Sequence, residues 1–192
     1  MTNVNTNKVP FKDGMIGPTV ILLIICLVIS GALAFTYQLT KGQIEKINKE
    51  TADAARLEVL PGAGSFTACD ADPLPEGVTE YYYEDTGLGA VATVENKSFG
   101  GTITVMVGMD ADGVITGVKV TDHSDTPGLG TKAHDSEYLK DTYVGLDALD
   151  DVDSIKKDSN VSEVTGATVS SNGIYGCVKY AVAAYDELGG VK

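Results

Sequence analysis

Thr102-Ile103-Thr104-Val105-Met106-Val107-Gly108-Met109, then Asp110-Ala111-Asp112-Gly113, then Val114 to Thr121 with Ile115, Val118 and Val120, forms the clearest pattern in the chain. Apolar residues recur at every second position of the first run, β-branched residues dominate the second, and an Asp-Gly turn separates the two, so the segment reads as a β-hairpin. The Asp-x-Asp-Gly string has the shape of a calcium loop, but its twelfth position is Thr121 rather than glutamate, so its aspartates are turn formers. Upstream, Tyr81-Tyr82-Tyr83 begins another strand, after a loop from Gly64 to Gly77. Downstream lie a glycine-rich loop, Asp122 to Lys132, a short helix over Ser136 to Val144, and an acidic solvated face over Gly145 to Ser159. Ile174, Cys177, Val178, Ala181, Val182 and Tyr185 keep helical spacing over Ser170 to Leu188, with Ser170 or Ser171 as cap and Gly189-Gly190 as stop. Strands followed by helices predict an α+β fold with a mainly antiparallel sheet and flanking helices.

No charged residue stands between Asp13 and Lys41, and Val20 to Ile29 is apolar throughout. About 20 apolar residues cross a hydrocarbon core of about 30 Å, so residues 15–39 are read as one transmembrane helix. Ala32-Leu33-Ala34 has the form of a signal-peptidase site; the segment is nevertheless read as an uncleaved anchor. Residues 40–62 follow as a juxtamembrane helix closed by Pro61-Gly62, and 63–192 as the single folded domain. Lys8 and Lys12 face Lys41, Lys46, Lys49 and Arg56 across the anchor, a count that by itself puts the N-terminus outside.

Composition narrows the function. The 192 residues hold 27 acidic against 14 basic side chains, net charge −13, and Arg56 is the one arginine, which excludes a nucleic-acid binder. Cys26, Cys69 and Cys177 form no Cys-x-x-Cys pair, and His123 and His134 match no ligand spacing, so no metal site is expected. No P-loop or G-x-G-x-x-G is present, and no acid, base and nucleophile set stands out, so no catalytic residue is assigned.

One segment does point to a ligand. Hydroxyls at Thr165, Thr168, Ser170 and Ser171, around Gly166 and Ala167, sit just ahead of a helix start, where free N–H groups and the positive end of the helix dipole attract an anion. The same hydroxyls also suit plain helix caps.

Thr165-Gly166-Ala167-Thr168 resembles the [ST]-G-A-T flavinylation motif of the FMN-binding domains in bacterial ion-translocating Rnf and Nqr complexes. Phe99 to Asp110 is similar to that family's Gly-Gly strand, and His123-Ser124-Asp125-Thr126-Pro127-Gly128-Leu129-Gly130 to its H-x-E-T-P-G-L-G loop. The likeness covers nearly the whole chain, and its order and length fit the Rnf G subunit better than the longer Nqr C subunit. It implies FMN joined through a phosphoester to Thr168, with Thr165, Gly166, Ala167, Ser170 and Ser171 around the phosphate and Thr126, Gly128, Leu129 and Gly130 facing the ring. It further implies an electron-carrying component of a complex that couples ferredoxin:NAD electron transfer to Na⁺ or H⁺ movement, with the other Rnf subunits as partners. A separate FMN transferase acting on FAD would load it. In that family residues 1–14 lie in the cytoplasm and the FMN domain on the extracytoplasmic side of the inner membrane, opposite to the charge count. Two positions depart from the pattern: Ser162 stands where aspartate is usual, with Glu163 beside it, and Asp125 stands where glutamate is usual. The competing readings are a stand-alone membrane-anchored extracytoplasmic flavoprotein reductase and a cofactor-free adhesion or sensor module.

Overall fold

The computed structural model describes residues 16–189, so the expectation for residues 1–14 lies outside the described residues. The chain divides into two units, Met1–Glu50 and Thr51–Lys192. The first is helical wherever it is described. Helix α1 runs Ile16–Val59 and covers both segments that the sequence separates at residue 39, because no helix breaker stands between them. It is long and apolar enough to cross a membrane. Inside it Ser30 donates its hydroxyl to the Cys26 carbonyl (2.6 Å) and Thr36 to that of Ala32 (2.9 Å), which leaves these polar groups satisfied within the helix.

The second unit is built on a five-stranded antiparallel sheet whose strands lie side by side in chain order: β1 Phe66–Ala68, β2 Val78–Glu84, β3 Gly89–Lys97, β4 Thr102–Asp110 and β5 Ile115–His123. The β4–β5 hairpin closes as expected, with the Gly113 N–H on the Asp110 carbonyl (3.1 Å) and Asp110 Oδ1 accepting the N–H groups of Asp112 and Val114 (2.9 Å each). After the sheet come a 3₁₀ turn at Gly130–His134, helix α2 at Ser136–Tyr143, a second 3₁₀ turn at Ile155–Lys157, and helix α3 at Thr168–Leu188. The fold is the expected α+β class.

Strand β3 carries no alternating pattern, and the sequence reading passes over it. The structure supplies the reason: both of its faces are buried. Ala90, Ala92 and Val94 pack with Ile103, Val105, Val107 and Met109 of β4 against Ile174, Cys177, Val178 and Ala181 of α3. On the opposite face Val91 and Met106 meet Ala55, Val59 and Leu60. A strand buried on both sides loses the period-two signal. Strand β1 falls inside the expected loop; three residues paired on one side only leave too little pattern to read. Arg56, 5 % exposed, fixes the chain entering the sheet by bonding Asp53 (2.6 Å) and Glu80 (3.1 Å) while its guanidinium lies 3.8 Å from the centre of the Tyr82 ring.

Residues 145–159 present the expected solvated face at Asp147, Asp151 and Asp153, and are also stitched to the core. Asp158 is buried and accepts the Tyr175 hydroxyl (2.8 Å), the Asp150 N–H (2.9 Å) and the Asn160 N–H (2.8 Å). Asn172 of α3 accepts the Ile155 N–H (2.9 Å). These carboxylate and amide oxygens satisfy loop N–H groups that have no ladder or helix partner.

Candidate functional site

Helix α3 starts at Thr168, two residues before the position expected from the sequence. The turn before it is fixed by the Ala167 N–H on the Val164 carbonyl (2.9 Å) and by Gly166 at φ +86°, a conformation that side chains disfavour. The first intrahelical bond runs from the Ser171 N–H to the Ala167 carbonyl (2.8 Å). Ala167 therefore holds the cap position, without a side-chain cap. Ser170 and Ser171, expected as caps, are buried within the first turn: Ser171 Oγ accepts the Val164 N–H (3.2 Å), which locks the preceding turn onto the helix.

The N–H groups of Thr168, Val169 and Ser170 are left without helical partners, at the positive end of a 21-residue helix. The half-buried Thr168 hydroxyl makes no hydrogen bond among the described residues. It borders a cavity of about 220 Å³ lined by Phe99, Leu129, Gly130 and residues 166–170. Three large apolar side chains stand in solvent around this cavity, Phe99 67 %, Leu129 48 % and Val169 52 % exposed. Such a cluster is uncommon on a polar surface without a ligand or partner to cover it.

The expected residues divide by position. Leu129, Gly130, Gly166, Ala167, Thr168 and Ser170 line the cavity, whereas Thr165, Thr126 and Gly128 are exposed outside the lining and Ser171 lies buried behind it. The sequence reading misses Phe99 and Val169. Phe99 is an aromatic just before Gly100-Gly101, in the turn between β3 and β4, and a large aromatic beside two glycines is the available signal. Ser162 takes part through its carbonyl, which accepts the Tyr138 hydroxyl (2.7 Å), and Glu163 Oε1 pairs with Lys156 (3.2 Å).

Behind the lining lies Asp125, its side chain fully buried. It accepts the Ser98 hydroxyl (2.6 and 2.8 Å), the Gly100 N–H (2.8 Å) and a bond from His134 Nε2 (3.0 Å), and Ser170 Oγ stands near it on the same side of Gly130. Burial raises the carboxyl's pKa, but these donors outweigh it and bring it down to about 2. The His134 ring meets that of His123 edge-on, centroids 4.3 Å apart. Burial lowers the His134 pKa despite Asp125, so the imidazole is neutral near pH 7.

An open apolar surface beside unpaired N–H groups and a free hydroxyl suits a ligand that is flat and apolar at one end and anionic at the other. Residues 98–183, which include every residue lining the cavity, match the family described as the FMN-binding domain. The chain is 34% identical over 202 aligned residues to the G subunit of the Na⁺-translocating ferredoxin:NAD⁺ oxidoreductase complex of Acetobacterium woodii, covering 94% of each chain. It is 32% identical to the G subunit of the ion-translocating oxidoreductase complex of Methanosarcina acetivorans, over 85% of this chain and 90% of that one. The chain belongs to the family of G subunits of ion-translocating oxidoreductase complexes. The crystal structure of Shewanella oneidensis NqrC is a weaker likeness, with a TM-score of 0.46 and 18% identity over 69% of this chain and 73% of that one.

Proposed function

We propose that this chain is the electron-carrying flavoprotein component of an Rnf-type complex that couples ferredoxin:NAD electron transfer to Na⁺ or H⁺ translocation, with FMN held covalently on Thr168. The observation that carries the reading is the free Thr168 hydroxyl beside three unpaired N–H groups and an exposed apolar cluster. When bound, FMN supplies reversible one- and two-electron redox chemistry.

The chain's own residues divide the task. The Thr168, Val169 and Ser170 N–H groups hold the phosphate, with Thr165 at the entrance and Gly166 and Ala167 shaping the turn. Leu129 and Phe99 offer apolar surface to the ring and exclude water from it, and Gly128 and Gly130 leave room for close backbone approach, with Thr126 at the outer end of the loop. Loading forms one P–O bond between Thr168 Oγ1 and the FMN phosphorus of FAD, breaks the pyrophosphate bond, releases AMP and passes the hydroxyl proton to the transferase or solvent. The apolar span read at residues 15–39 anchors the chain among the other subunits, and 63–192 form the FMN domain on the extracytoplasmic side.

Intact mass after co-expression with an FMN transferase tests this. The parent gains the mass of FMN less water, Thr168→Ala gains nothing, and Thr168→Ser retains part of the gain. Full flavin gain in Thr168→Ala would move the attachment elsewhere.

A further inference from the structure

Resting on the FMN reading, we propose that Asp125 sets the redox potential of the bound flavin, as a fixed negative charge immediately behind the cavity wall. The placement is close. A Cβ built on Gly130 would lie 2.8 Å from Ser170 Oγ and 3.2 Å from Asp125 Cγ, so the Asp125 side chain packs against Gly130 and beside Ser170, both lining residues of the cavity.

The charge is not cancelled. Its hydrogen-bond partners are the Ser98 hydroxyl, the Gly100 N–H and the neutral His134, and no lysine or arginine pairs with it among the described residues. Its side chain is out of water, where charge interactions are screened weakly. Reduction adds negative charge to a flavin, so a buried anion nearby opposes it and lowers the potential. The group also lies at the joint of three segments, since Ser98 and Gly100 come from the β3–β4 turn, Ser170 from α3, and His134 from the turn after the glycine-rich loop. Asp125 therefore acts on the flavin from a position that the fold itself fixes.

Two variants of the flavinylated full-length protein separate charge from mere support. Asp125→Asn keeps the shape and the acceptor oxygen but removes the charge, and the midpoint potential shifts upward. Ser98→Ala keeps the charge and removes one compensating donor, so the potential shifts downward. A loosened loop would move both in the same direction. Shifts of opposite sign support the proposal; shifts of the same sign, or none, overturn it. Where Asp125→Asn fails to fold, Ser98→Ala decides alone, a downward shift supporting and any other result overturning. Intact mass of the parent keeps the two readings apart: absence of FMN defeats the cofactor assignment and this inference with it, whereas FMN present with unmoved potentials defeats only this inference.

Discussion

Asp125 and His134 also make this domain acid-sensitive, with a sign that follows from their shifts. Asp125 titrates at about 2 in the folded protein, below the ordinary carboxyl value of about 3.9, so its stabilising effect is whole above that value and is lost as pH falls toward 2. His134 is held below its ordinary value of about 6.5, so on acidification the unfolded chain binds its proton first and is favoured. The melting temperature of detergent-solubilised protein is expected to fall below about pH 6.5 and to fall again below about pH 4. His134→Gln should remove the upper limb and Asp125→Asn the lower one; a profile unchanged in both variants would deny them the role. The hydroxyls and the single glycine at residues 165–171 were legible as a candidate anion site because of their residue types. The carboxylate layer behind them was not, since Ser98, Asp125, His134 and Ser170 are scattered over 73 residues and meet only through the fold.

Helix α3 is the element on which site and core meet. Its buried stripe of Ile174, Cys177, Val178 and Ala181 was legible from spacing alone, as was the β4–β5 hairpin. Its start was displaced because Ser170 and Ser171, good cap residues by type, serve tertiary contacts instead. The element-scale prediction is that Ile174→Ala, at a fully buried position, costs about 2–5 kcal/mol, measured by urea unfolding at neutral pH. Because Ile174 lies beyond the turn that bears Thr168, the folded fraction of this variant should still take up flavin, read by in-gel fluorescence. Loss of flavin from protein shown to be folded would mean that the core of α3 and its first turn are not separable.

At the scale of the molecule, the anchor was legible from an uncharged run and the domain class from strands preceding helices, while the charge count around the anchor gave an orientation opposite to the proposed one. Long domains cross membranes largely regardless of charge, which removes that conflict. Protease added to intact spheroplasts is expected to digest the domain after residue 63, and full protection of the domain would reverse the orientation. The side-by-side order of β1 to β5 has a consequence for biogenesis. Each strand pairs with the one made just before it, so the sheet assembles by successive local closures as the chain emerges N-terminus first. Helix α3 arrives last, and Thr168 with it. Under the proposed attachment, the Thr168 hydroxyl takes its place only after the sheet it packs beside has been made, so a product stalled before α3 would offer no target for loading.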